Sequence, residues 1–191
     1  DWITLRTLTG GLTSSADATI NSLTVGKGAN SVAGNTVLGE TALDASVSGG
    51  NNTAIGKDAL TANTSGEQGV AVGSLAGAAV TSGNRNTFVG YASGQSTTTA
   101  DDNTAVGRGT FSNNTTGSDN VAIGTLALHS ATTADNNTAV GKSALSSNTT
   151  GYSNTGIGSE SLDANTTGQQ NTGIGMSSLG SNTTASNNTA C

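Results

Sequence analysis

The chain has 191 residues with 28 Gly and no Pro, and it is poor in charged (9 %) and aromatic (3 %) residues. Its net charge of −6, with six Lys and Arg spread along the chain, argues against nucleic-acid binding, which needs a concentrated basic surface. No apolar run reaches the roughly 18 residues of a membrane-spanning helix, so we predict no membrane insertion. A single Cys excludes an intrachain disulfide framework.

After a lead-in segment (1–34), a Gly preceded by Leu, Ile or Val recurs every 17 residues without insertion or deletion. A stack of identical coils needs such spacing, because each coil must lie in register on the previous one. We therefore divide the chain into the lead-in, nine repeats (35–187) and the start of a tenth (188–191), and we expect a segment of a longer protein. The nine Gly are Gly39, Gly56, Gly73, Gly90, Gly107, Gly124, Gly141, Gly158 and Gly175.

Each repeat, numbered from its first residue as positions 1–17, follows the consensus N-T-A-[VI]-G-x-x-A-L-x-x-N-T-T-G-x-x. Positions 2–4 are rich in β-formers and precede the Gly of position 5, which predicts a short strand and then a corner with an unusual φ angle. Thr-Thr-Gly at positions 13–15 predicts a second turn. For the Ala-Leu segment at positions 8 and 9 we predict another strand, with one helical turn as the alternative. The predicted fold is an all-β, parallel β-solenoid or β-roll.

Stacking places the same position of successive repeats in one column, with a rise of about 4.7–4.9 Å per coil. At position 1 we predict a buried ladder of Asn side chains that hydrogen-bond one another and the backbone, with ligand binding as the alternative. This column contains Asn35, Asn52, Asn86, Asn103, Asn120, Asn137, Asn154, Asn171 and Asn188.

Large apolar side chains occupy two columns. Position 4 contains Leu38, Ile55, Val72, Val89, Val106, Ile123, Val140, Ile157 and Ile174, and position 9 contains Leu43, Leu60, Gly77, Gly94, Phe111, Leu128, Leu145, Leu162 and Leu179. Burying each Val or Leu contributes about 1.5–3 kcal/mol, whereas ordering each residue costs about 1–2 kcal/mol of backbone entropy. So sparse a core commonly needs a partner, and we predict self-association through a shared apolar axis.

The middle repeats depart from the consensus together. Gly77 and Gly94 replace the bulky residue of position 9, and Phe88 replaces the small residue of position 3. We expect the Phe88 ring to fill the volume that the two Gly leave in the core. The alternative is a surface aromatic residue beside Tyr91.

Residues suited to catalysis or metal binding are few, and we predict no catalytic, cofactor-binding or metal-binding residues. His129 is the only His and stands at a variable polar position, which is typical of the surface. Cys191 is interpreted as an incidental terminal thiol, or as a small core residue because its column holds Val and Ile elsewhere. No Ser-His-Asp or Cys-His set can be assembled from these residues.

The carboxylates are scattered, and no fixed pair recurs from repeat to repeat. Asp101 and Asp135 share a column two repeats apart in polar turns, so a glycosidase pair is only a minor alternative. Arg85, Asp102 and Asp119 share another column and predict an exposed ion-pair ladder of about 0–1 kcal/mol per pair.

The pattern N-T-A-[VI]-G-x-x-A-L-x-x-N-T-T-G, over residues 35–190, resembles the repeats of bacteriophage tail fibres and related phage adhesins. It is also similar to the N-S-x-A-[IV]-G motif in the heads of trimeric autotransporter adhesins, which are homotrimers of parallel β-rolls with a somewhat shorter repeat. Residues 18–28 look like the lead-in that often precedes such repeats in phage fibres. The resemblance implies a homotrimeric fibre.

What the resemblance implies for function is a structural and adhesive protein rather than an enzyme. We expect the shaft of a phage tail fibre, located in the virion, that presents a receptor-binding tip for host attachment. Its partners would be two further copies of itself and other fibre or virion components, with a host-surface glycan as a further candidate. The main alternative is the head of a bacterial trimeric surface adhesin, at the cell surface.

Two further alternatives are a polysaccharide-degrading tailspike and an ice-binding β-solenoid. Ice-binding faces typically use Thr-x-Thr, which places two Thr on one face. The repeated pair here is Thr149–Thr150, whose side chains point oppositely in an extended chain. The Thr column at position 2 is the feature that keeps this alternative open.

Overall fold

The computed structural model describes residues 18–20, 23–45 and 47–191, and it shows an all-β solenoid of about nine turns with a 17-residue repeat. Strands β3 to β12 pair in parallel, with each residue opposite its equivalent 17 positions later, such as Thr36 with Thr53. The predicted parallel solenoid is therefore confirmed. No helix in the described ranges has the length and apolar character that crossing a membrane requires.

All twelve strands form one sheet in chain order. The strands are β1 (Ala18–Ile20), β2 (Leu23–Gly26), β3 (Thr36–Gly39), β4 (Thr53–Ile55), β5 (Val70–Val72), β6 (Thr87–Val89), β7 (Thr104–Val106), β8 (Val121–Ile123), β9 (Thr138–Val140), β10 (Thr155–Ile157), β11 (Thr172–Ile174) and β12 (Thr189–Ala190), with a short 3-10 turn at Ala29–Ser31.

The lead-in closes the first coil. Strands β1 and β2 form an antiparallel hairpin, and β2 runs antiparallel to β3. The Ala29 amide donates to the Leu43 carbonyl at 3.0 Å, so the chain after β2 lies over the first core Leu. Residues 1–17, 21 and 22 of the predicted lead-in lie outside the described residues.

Each three-residue strand buries its middle side chain and directs the two flanking side chains outward. In β7, Ala105 is fully buried, whereas Thr104 and Val106 are half-buried. Because side chains alternate along a strand, an inward position 3 forces positions 2 and 4 to the other face. The apolar column of position 4 is therefore not core, and only position 9 of the two large apolar columns lies inside the coil.

The Ala-Leu segment is a turn, so the predicted strand at positions 8 and 9 is wrong. Leu128 and Leu145 adopt φ angles of 48° and 53°, in the left-handed region that non-Gly residues seldom occupy. The Leu128 amide nevertheless donates to the Ala144 carbonyl of the next coil at 3.0 Å, and the side chain is fully buried. Burial of about 1.5–3 kcal/mol and this hydrogen bond offset a left-handed conformation that costs about 1–2 kcal/mol.

The predicted Asn ladder at position 1 is confirmed. The buried Asn137 donates its backbone N–H to Asn120 Oδ1 at 2.9 Å and its Nδ2 to the Gly151 carbonyl at 3.0 Å. Asn154 repeats the pattern by donating its N–H to Asn137 Oδ1 at 2.9 Å. Each amide thus satisfies buried polar groups of its own coil and of a neighbouring coil.

A second Asn column, at position 12, closes the predicted turn at positions 13–15. The buried Asn63 accepts the Gly66 N–H at 2.8 Å and donates to the Gly66 carbonyl at 3.0 Å. Asn114 makes the same two bonds to Gly117. These short-range bonds fix the bend from inside the coil.

The expected volume exchange around Phe88 is also confirmed, and the surface alternative is wrong. Phe88 is fully buried, whereas Tyr91 is 57 % exposed. A Cβ on Gly77 would lie 2.9 Å from the Phe88 ring, and one on Gly94 would lie 2.7 Å from its Cγ. The ring therefore occupies the space that a position-9 side chain fills in other coils.

Truncating this ring is expected to destabilise the fold. Phe88→Ala leaves a cavity beside two Gly and should lower the free energy of unfolding by about 3–5 kcal/mol in urea titrations. Adding Gly94→Leu should recover part of the loss. Gly94 has a φ of 58°, and Leu43, at the same position of the first coil, adopts a φ of 48°. Tyr91→Ala, at an exposed position, is the control and should change the free energy of unfolding by no more than about 0.5 kcal/mol. Equal effects of Phe88→Ala and this control would contradict the packing role.

Breaking the Asn ladder is expected to cost less but still be measurable. Asn137→Ala removes the acceptor of the buried Asn154 N–H and should destabilise by about 1–3 kcal/mol. Asn113→Ala, at an exposed position, provides the matched control in the same unfolding experiment. A loss no larger than that of the control would show that the ladder does not support the fold.

Candidate functional site

The most distinctive surface is the outward side of the strand ladder, which we call the outer face: positions 2 and 4 of β3–β11. Its position-4 column is apolar throughout and remains partly exposed; Leu38 is 39 %, Ile123 40 % and Ile174 43 % exposed. On β2, Val25 is 40 % exposed, pairs with Leu38 and extends the column. At one strand spacing per coil, this column is about 45 Å long.

The second column of the outer face, at position 2, carries small β-branched residues. It contains Thr36, Thr53, Val70, Thr87, Thr104, Val121, Thr138, Thr155 and Thr172. No charged residue occurs in either column between β3 and β11. The outer face is therefore a regular, uncharged surface of methyl-bearing side chains, and a contiguous exposed apolar surface of this kind marks an interaction site.

Charged side chains flank this surface on both sides. Position 6, which follows each strand, contains the cations Lys57, Arg108 and Lys142, and we call this side of the outer face the basic edge. Positions 16 and 17, which precede each strand, form what we call the acidic edge. They contain Glu67, Asp101, Asp102, Asp119 and Asp135. The two edges thus carry opposite predominant charge, although Glu40 at position 6 pairs with Lys57 at 3.2 Å and Arg85 lies at position 17.

The predicted ion-pair column is present as one strong pair. Arg85 donates through Nε and a terminal nitrogen to the two oxygens of Asp102, at 2.7 and 2.8 Å. The side chain of Asp101 lies 3.8 Å from the same guanidinium. The hydrogen bond from Arg85, together with its positive charge, lowers the pKa of the Asp102 carboxyl below its ordinary value, although burial opposes the shift.

Asp101 and Asp135, considered above as a glycosidase pair, each accept a hydrogen bond from a backbone amide. Asp101 Oδ1 accepts the Asn84 N–H at 2.6 Å, and Asp135 Oδ1 accepts the Ser118 N–H at 2.7 Å. Because the two residues are separated by two coils, they are about 10 Å apart along the stack. Each carboxylate satisfies an amide of the coil before it.

The remaining candidates are not brought together. His129 is half-buried, with Nδ1 2.8 Å from Ser112 Oγ and 3.0 Å from the Gly109 carbonyl. Cys191 is exposed, so its alternative interpretation as a core residue is wrong. Within the described part of the chain, no group of three or more His, Cys, Asp or Glu residues is arranged to hold a metal ion.

Comparisons with protein-family models, curated proteins and solved structures found no match for the chain. Its function must therefore be inferred from the geometry of the molecule. The outer face consists of Thr, Val, Leu and Ile alone, so its polar groups are Thr hydroxyls. Its regular spacing and apolar character suit it to contact another ordered surface.

Sequence reasoning identified the columns but did not place positions 2 and 4 on one exposed face. The signal was available in the Thr-Ala-Val triplet, where the smallest residue lies between two larger ones. In most coils a bulky residue at position 9 accompanies a small residue at position 3, as with Leu128 and Ala122, because both side chains share the interior of the coil. The small middle residue therefore marks the buried side of the strand.

The Asp102 pair predicts a pH dependence. NMR titration should give a pKa for Asp102 below the ordinary value, and Arg85→Gln should raise it by removing the charged donor. The pair stabilises the fold above the unfolded-state pKa of Asp, and this contribution is lost as the pH falls through the lowered value. Lys142→Gln, two coils away, is the control; an unchanged Asp102 titration in Arg85→Gln would contradict the assignment.

Proposed function

We propose that the chain is a segment of a homotrimeric fibre in which three copies pack their outer faces around a common axis. The observation that carries the proposal is the unbroken, partly exposed apolar column at position 4. In this arrangement the chain serves as the shaft of a phage tail fibre and presents a receptor-binding tip to the host.

Self-association is favoured because it would bury exposed apolar area of the outer face at little cost in conformational entropy. Residues such as Ile157, 39 % exposed, still present apolar area to water, and burying that area contributes about 25 cal/mol per Å². The strands are already ordered by the coils above and below them, so little further conformational entropy is lost on contact. A second outer face is itself regular and uncharged.

The number of chains and the biological setting derive from the resemblance of residues 35–190 to phage fibre repeats. Three outer faces would enclose the apolar axis and leave the Thr-, Ser- and Asn-rich turns at positions 10–14 outside. Those turns are where a host-surface glycan could be bound, which is the role that the adhesin-head alternative assigns to the repeats. In the virion, the other partners would be further fibre components.

A shaft has to be stiff along its length, and the solenoid is suited to this. Successive coils are joined by hydrogen bonds in the strands, as from the Thr104 amide to the Asn120 carbonyl at 2.8 Å. They are joined again in the turns, as from the Thr115 amide to the Thr132 carbonyl at 2.8 Å. Nine coils span about 40–45 Å in this way. Three such ladders held together would resist bending more than one.

A second candidate function, ice binding, is favoured by one observation. Position 2 and position 4 lie on the same face, so Thr53 and Ile55 form a Thr-x-Ile pair on the outer face. This pair replaces Thr149–Thr150 as the relevant feature, because Thr149 directs its hydroxyl to the Thr166 carbonyl. Normal ice-crystal shape in solutions of the purified protein would exclude the candidate.

Charge placed on the outer face is expected to dissociate the fibre without unfolding the coils. Ile123→Lys with Ile157→Lys puts two cations on the shared axis, where their desolvation is unfavourable. Sedimentation velocity should then show single chains with an unchanged β circular-dichroism spectrum, whereas the unmodified chain sediments as a trimer.

The matched control is Thr133→Lys with Thr167→Lys. These two exposed Thr occupy position 14 of the same two coils, away from the outer face. The control variant should remain a trimer. An unmodified chain that is folded and strictly monomeric at micromolar concentration would contradict the proposed self-association.

A further inference from the structure

The charges on the two edges of the outer face are arranged row by row, a row being one strand with the residues immediately before and after it. In the β7 row, Asp101 and Asp102 precede the strand and Arg108 follows it. In the β9 row, Asp135 precedes the strand and Lys142 follows it. Each of these two rows therefore has a carboxylate at one end and a cation at the other.

We infer that ion pairs between copies, Arg108 with Asp101 and Asp102, and Lys142 with Asp135, orient neighbouring chains in parallel and fix their axial register. The inference rests on the self-association proposed above and adds which residues make it specific. The occupant of the outer face is a second copy of this chain, because the acidic edge of one copy complements the basic edge of another.

Symmetry brings the required residues together. A rotation about an axis parallel to the solenoid keeps every coil at its own height. It also places the basic edge of one copy beside the acidic edge of the next. Arg108 then meets the Asp101 and Asp102 of the neighbouring copy, and Lys142 meets its Asp135, in the same row.

Other arrangements reduce this complementarity. An antiparallel pair brings like edges together, and with full overlap the middle strand β7 faces itself, so Arg108 opposes Arg108. A slip of one coil in one direction moves Lys142 to the row of Tyr152, which has no carboxylate before its strand. In the same slip Arg108 faces Asp119 alone in place of two carboxylates, and Lys57, which already pairs with Glu40, faces Glu67. A slip in the other direction moves Arg108 to the row of Arg85.

The apolar column cannot distinguish these arrangements by itself. All its members are Leu, Ile or Val, so a shift by one coil buries nearly the same side chains. Register must therefore come from residues that differ between rows. The charged edges have this property, and charge pairs at the rim of an interface contribute more to specificity than to affinity.

The residues concerned are available for such pairs. Arg108 and Lys142 are exposed, and neither forms an ion pair with another described residue of its own chain. Asp135 uses Oδ1 for the Ser118 amide, which holds the carboxylate in place and leaves Oδ2 for a partner. In the β7 row, both oxygens of Asp102 already accept from Arg85. Asp101 uses Oδ1 for the Asn84 amide, so its Oδ2 is the oxygen of this row that would receive Arg108 of the neighbouring copy.

The first experiment reverses one charge and then restores the complementarity. Lys142→Glu places like charges between copies in the β9 row and should weaken assembly by about tenfold at low salt in sedimentation equilibrium. Adding Asp135→Asn and Asn136→Lys should recover most of the affinity. The new Asn at position 135 keeps an acceptor oxygen for the Ser118 amide. A Lys at position 136 should fit the backbone, because Asn136 has a φ of 57° and the long side chain of Arg85 is present at the equivalent position with a φ of 56°.

Ser159→Glu is the matched control, at the same position of a row with no opposing carboxylate. It should leave assembly nearly unchanged. Equal weakening by Lys142→Glu and Ser159→Glu, or the absence of rescue, would overturn the inference while the self-association itself still stood.

The second experiment measures orientation with the natural Cys191, which is the only Cys and is exposed at one end of the solenoid. Pyrene attached to its thiol should give excimer emission in the assembled protein, because parallel copies bring the labels together. Antiparallel copies would separate them by about 40 Å. Assembly without excimer emission would overturn the inference alone, whereas a folded chain that never assembles would overturn both proposals.

Discussion

The close approach of backbone at the position-5 corner is the constraint on which the solenoid depends. A Cβ on Gly56 would lie 2.6 Å from the carbonyl carbon of Gly73, and the residue has a φ of 124°. Only Gly satisfies both conditions, so each coil must present a Gly at the same place as its neighbour. An inserted residue would displace every later column, which accounts for the unvarying interval of 17 residues. The Asn ladders then use this spacing to satisfy the buried polar groups between coils.

The features that could be predicted from the sequence are those that follow from one residue type recurring at the same position of every repeat. Identical spacing indicated stacking, and an Asn recurring in one column indicated a ladder such as that of Asn120 and Asn137. The left-handed Leu128 could not be predicted in this way, because its local preference opposes the conformation and the interior contacts of the stack impose it. The outward direction of position 4 was missed for a different reason. Periodicity establishes which residues share a face, but it does not establish which face is buried.

The two large apolar columns differ in how the chain varies them. Position 9 lies in the core, yet it changes from Leu to Gly at Gly77 and Gly94, where Phe88 supplies the missing volume. Position 4 is partly exposed in the single chain, yet it is Leu, Ile or Val in all nine repeats. Strand preference alone does not require this, because Thr is also a good strand residue and fills most of position 2. A column that stays apolar while facing outward is accounted for by burial against another surface.

Uniform repeats make stacking within one chain unambiguous, but they leave the axial alignment between chains undetermined. Within the chain, covalent connection fixes which coil follows which, so identical coils stack without ambiguity. Between chains there is no such connection, and identical coils would fit equally well at many heights. Departures from the consensus are therefore most useful where copies meet. The charges of the β7 and β9 rows lie beside the outer face at those points, whereas the face itself has none. In the proposed assembly the regular positions would build the surface, and the irregular ones, such as Arg108 and Lys142, would determine how two surfaces align.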